Sequence, residues 1–70
     1  MTDTEMLKQT IVERRIELAG LMLNAQESMN EVEFNDMKAK VQRLHLFDRN
    51  NDIEGSLQAT EELIAELQQI

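Results

Sequence analysis

Oxygen-bearing side chains at alternate positions, Asp48, Asn50 and Asp52, form the stretch of this 70-residue chain best suited to chemistry. Such alternation suits a hard cation, since a calcium loop takes its first ligands from positions 1, 3 and 5. The same loop needs Gly at position 6 and a bidentate Glu at position 12, where this chain has Ile53 and Ala59. The expectation is therefore a polar helix-capping loop with no metal and no cofactor. His45 is the only His, and Asp48 is the only carboxylate three or four positions from it. No Cys is present, which excludes disulfides, thiolate-bound metals and a thiol nucleophile. With no nucleophile beside a base and no glycine-rich phosphate loop, no catalytic residue is assigned, and the chain is expected not to be an enzyme.

Charge gives the next clue. The formal net charge is −7, and the segment from Asn50 to Ile70 holds five acids and no Lys or Arg, so it supplies −5 of that total. Glu66 stands in the last turn of a helical pattern, where a negative charge opposes the helix dipole. Local helix energetics do not account for it, so Glu61, Glu62 and Glu66 are candidate contacts for a basic partner. Carboxylates four apart on a helix lie about 6 Å from each other, a spacing that a phosphate-like row can use. Direct binding to nucleic acid or to an anionic membrane needs the opposite charge. Arg14 and Arg15 interrupt an apolar helix face. Their stems are expected to pack on apolar surface, with the guanidinium groups in water or paired to acids of the last helix.

These residues must be carried by helices. Pro is absent, Gly occurs twice, and Phe34 and Phe47 are the only aromatics, so the core must be aliphatic and rich in Met. Leu7, Ile11, Leu18, Met22, Ala25 and Met29 repeat at spacings that fit a 3.6-residue period, and Val12, Ile16, Ala19 and Leu23 run beside them. Two stripes predict one long helix over residues 3–28 with a neighbour on each side. Thr2 with Glu5 has the spacing of a capping box at its start. Gly20 falls in its middle, either for the close approach of another backbone or simply tolerated, and the weak periodicity after Asn24 allows an earlier end.

Ser28 with Glu31, and Asn30 with Glu33, are alternative caps for a second helix over 31–48. Its seam is Phe34, Met37, Val41 and Leu44, and Asp36 and Lys40 stand at ion-pair spacing. Residues 48–52 form a polar break. Asn51 with Glu54 caps a third helix over 52–69, whose seam is Ile53, Leu57, Ile64 and Leu67 with Thr60 between them and Leu63 and Ile70 beside them. Short turns make sequential helices antiparallel.

The predicted architecture is all-α: one domain over residues 1–70, a small three-helix bundle with a long first helix against two shorter ones. Dimerisation is one way to complete so small a core, and a two-helix hairpin is the alternative if 48–52 stays helical. The acidic N-terminus and the charges within 11–23 speak against a signal or membrane span, so a cytoplasmic location is expected. The second-helix Ser-Gln-Glu-Leu-Asp signature of the small helical-hairpin aspartyl-phosphate phosphatases is absent. The string Val41-Gln42-Arg43-Leu44-His45 keeps only Gln and Leu, and no family is identified.

The functional expectation is a non-catalytic protein–protein interaction module, an adaptor or regulator. Its partner is a protein that is basic or presents an apolar helix, or a second copy in a homodimer. Met22, Leu23 and Phe47 are the candidate apolar contacts, and Glu61, Glu62 and Glu66 the acidic ones. An acidic inhibitor that occupies the nucleic-acid site of a basic protein is the alternative.

Overall fold

The computed structural model describes residues 3–69. It contains four helical segments: α1 (Asp3–Ser28), α2 (Glu31–Gln42), α3 (Leu44–Arg49) and α4 (Ile53–Gln68). Arg43 alone separates α2 from α3. Its backbone is still helical, and its carbonyl accepts from the Leu46 amide at 3.0 Å, so the two segments are one arm tightened by a single turn. The architecture is thus a three-helix bundle in which the long α1 packs against the α2–α3 arm and α4. A 26-residue helix spans about 39 Å, and α1 sets the long dimension of a fold measuring 41 × 19 × 15 Å.

Each connection has a local cause. Asn30 caps α2: its Oδ1 accepts from the Glu33 amide at 2.8 Å, and its Nδ2 donates to the Glu33 carboxylate at 3.1 Å. Of the two predicted caps, the Asn30–Glu33 pair is the one used, and α1 runs on through Asn24 to Ser28. The second connection lies later than expected, because Asp48 and Arg49 still belong to α3. Asn51 adopts a left-handed backbone (φ 56°), which Asn tolerates better than most residues. That geometry lets the Asp52 amide donate to the Phe47 carbonyl and the Asn51 amide to the Asp48 carbonyl, closing α3 in a Schellman motif. A continuous helix through this point, and with it the hairpin alternative, is excluded.

Asp52, rather than Asn51, caps α4, accepting from the Gly55 amide at 3.0 Å. Gly55 looks like a weakness in the sequence but has a reason. A Cβ there would collide with the folded-back Asp52 carboxylate. The predicted cap at Thr2 and the apolar Ile70 lie outside the described residues.

The core joins all the helices. Leu18 and Ala25 of α1, Met37 and Leu44 of the arm, and Leu63, Ile64 and Leu67 of α4 are buried together, with Met22, Met29, Val41 and Phe47 packed at the margin. The middle of the first stripe of α1, and Met37, Leu44, Ile64 and Leu67 of the later seams, are buried as their periodicity predicts, whereas Leu7, Phe34, Ile53 and Leu57 lie outside this cluster and are half-buried. α4 lies closest to α1, and small side chains permit this. Ser56 and Thr60 are almost wholly buried, and the Thr60 hydroxyl donates to the Ser56 carbonyl at 2.7 Å.

Two expectations fail. Lys40 pairs with Glu66 of α4 at 2.9 Å instead of with Asp36, since that bond ties two helices together. The second stripe of α1 is not covered by either shorter helix: Val12, Ile16 and Leu23 are 58, 69 and 69% exposed. The arm and α4 both dock on the side of Ile11, Leu18 and Ala25, roughly a third of a turn away from that stripe.

Gly20 faces open space, with no atom within 4 Å of the position a Cβ would take. It makes no close approach within this chain. Gly20→Ala is accordingly expected to raise stability by about 0.5–1 kcal/mol, read as a rise of a few degrees in the thermal midpoint.

Candidate partner-binding surface

Because α1 approaches α4 more closely than it approaches α2, a groove remains between α1 and α2. Ala19, Met22 and Leu23 line one wall, Phe34 and Val41 the other, and the volume is about 470 Å³. Gln26, Lys38 and Gln42 form the rim. The ammonium of Lys38 sits 5.2 Å from the centre of the Phe34 ring, a cation–π distance that holds the ring against the groove mouth. The groove carries no titratable side chain on its walls. Its chemistry is burial of apolar surface, with a few polar groups to orient what enters.

Met22 and Leu23 both line this groove, and Phe47 does not join them. It is half-buried against the core, beside Ile11, Arg15 and Ile53 on one side and Leu44 and Leu63 on the other. Phe34 and Val41 take the place expected of it. The sequence assigns both to the second-helix seam, and periodicity alone does not distinguish the inner part of a seam from its open edge. Lys38, four residues after Phe34 and so on the same helix face, is the one local signal of an exposed aromatic edge.

The acidic candidates lie elsewhere, on exposed positions of α4. Glu66 is held by Lys40, Glu61 stands 3.9 Å from Arg14, and Glu62 accepts from Gln58 at 3.4 Å. Two of the three carboxylates thus have a cation from another helix beside them, which weakens a free phosphate-like row. Arg14 also bonds Glu17 at 2.9 Å, so its pairing to an acid of the last helix is accompanied by a local one.

Arg15 does something the sequence does not announce. Its Nη1 and Nη2 donate to the two oxygens of Asp48 at 2.9 and 2.8 Å, and Nη2 also donates to the buried Ser56 hydroxyl at 2.8 Å. One guanidinium thereby joins α1, α3 and α4, while its buried Nε finds no partner. The Arg15 hydrogen bond holds the Asp48 carboxyl below its ordinary value of 3.8, opposed by desolvation and aided by the charges of Arg15 and His45. This accounts for the loop that first invited a calcium reading: Asp48 serves Arg15, and Asp52 caps α4. Among the described residues no group of three or more His, Asp or Glu is placed to hold a metal ion. Nor is any helix among them long and apolar enough to cross a membrane.

No family model, curated protein or solved structure matches this chain.

Proposed function

We propose that this protein is a non-catalytic interaction module that takes an apolar helical segment of a partner protein in the groove between α1 and α2. The observation that carries the reading is the groove itself, whose walls are Ala19, Met22, Leu23, Phe34 and Val41 with polar side chains only at the rim. A helix laid into such a groove buries one apolar face, and this is a common way for small helical proteins to bind others. The rim of Gln26, Lys38 and Gln42 sets orientation by hydrogen bonds and one positive charge. The surplus acid of α4 lies away from the groove and acts on encounter rate and solubility.

The test is capture of partners from nuclease-treated lysate of the source organism, washed in parallel at low and high salt. A groove-bound partner survives the high-salt wash and is lost, by about tenfold or more in affinity, with Phe34→Glu. A nucleic-acid-binding partner that leaves at high salt, and is insensitive to Phe34→Glu but lost when Glu61, Glu62 and Glu66 become Gln, would instead establish the acidic inhibitor.

A further inference from the structure

Overlapping the groove at Ala19 and Leu23, the exposed stripe of α1 has the spacing of a helix-pairing seam. Val12, Ile16, Ala19 and Leu23 follow one another at four, three and four residues, the a/d rhythm of a coiled coil. None of the chain's own helices covers the stripe. We propose that its occupant is α1 of a second copy, running parallel, so that Ile16 meets Ile16 and Leu23 meets Leu23 across a two-fold axis.

Charge favours a second copy and gives the direction. Lys8 and Glu13 flank the seam five residues apart, the separation at which g and e positions pair between parallel helices. Both are exposed, and neither forms an ion pair with the other described residues. A parallel partner places Lys8 of each copy beside Glu13 of the other, two new pairs in one contact. The acids of α4 do not oppose this approach, because α4 packs against the Ile11–Leu18–Ala25 side of α1. Ala19 and Leu23 also line the groove between α1 and α2, so a second copy and a groove-bound helix compete for these two residues.

Sedimentation equilibrium of the full chain over a concentration series tests the proposal, with circular dichroism as the control for folding. The expected result is twice the chain mass at high concentration. Ile16→Glu, at an exposed position, removes the dimer and keeps the helix content. Lys8→Glu weakens association about tenfold, and adding Glu13→Lys restores it. Since the chain has no Cys of its own, Gln9→Cys reports direction: two parallel copies bring these cysteines together, and mild oxidation links them. A chain that stays monomeric, a dimer indifferent to Ile16→Glu, or a dimer that Gln9→Cys does not cross-link overturns the proposal. The groove reading is decided separately by Phe34→Glu, at a position on α2 that lies off the seam.

Discussion

Leu18→Asp is expected to abolish the fold. Leu18 is 2% exposed and lies in the cluster that joins α1 to α4 and to the arm. Truncating such a leucine to Ala alone costs about 3 kcal/mol. A carboxylate there adds a charge with no partner in an apolar site, a further penalty of several kcal/mol. Against this stands a total stability of about 3.5–10 kcal/mol for a chain of this length. Far-UV circular dichroism and a thermal melt decide the matter. The expected result is loss of both helix signal and cooperative transition, and native helicity with a cooperative melt would refute the core assignment. Ile16→Asp, two residues away on the exposed stripe, is the control and should leave the monomer's fold intact.

The second large effect is expected at Arg15. Arg15→Ala removes three hydrogen bonds and leaves the buried Ser56 hydroxyl without its donor, and it should cost about 2 kcal/mol. Arg15→Lys should recover only part, because an ammonium cannot reproduce the bidentate fork. The pH dependence follows from Asp48. Its carboxyl titrates lower in the folded chain than in the unfolded one, so the unfolded state binds its proton first as pH falls. The pair's contribution is therefore full above the ordinary value of 3.8 and is lost as pH drops from there through the lowered folded value. Because Asp48 is partly exposed, that contribution is about 1 kcal/mol or less. Acid melts of the parent and of Asp48→Asn should converge below this range and separate above it. Parallel curves at all pH values would remove Asp48 from the account.

What the sequence makes legible here is whatever depends on a residue's near neighbours. Helix extents follow from the 3.6-residue period, and the break after Arg49 from Asn50 and Asn51. The Asn30–Glu33 cap and the burial of Met37, Leu44, Ile64 and Leu67 follow in the same way. Periodicity reports that α1 has two apolar stripes but not how the other helices are shared between them. Both docked on the Ile11–Leu18–Ala25 side, and Val12, Ile16 and Leu23 were left to solvent. The Arg15–Asp48–Ser56 junction is invisible for a similar reason. Its members are 33 and 41 residues apart in the chain, and nothing local marks Ser56 as buried. For the candidate site, Met22 and Leu23 were identifiable as surplus apolar residues. Phe34 and Val41 were not, because the same residues satisfy a core seam equally well.

The close packing of the first helix against the last has a consequence for how the chain reaches this state. Helices adjacent in sequence meet less intimately than α1 and α4, whose contacts close a loop of about forty residues, and loop closure of that length must be achieved before its contacts can reward it. A chain emerging during synthesis can form α1 and the arm, but Ala25 and Leu18 stay uncovered until Leu63, Ile64 and Leu67 have appeared. Folding of this bundle thus waits for the residues of α4. Fragments ending near Asn51 should be helical in places and without a cooperative core.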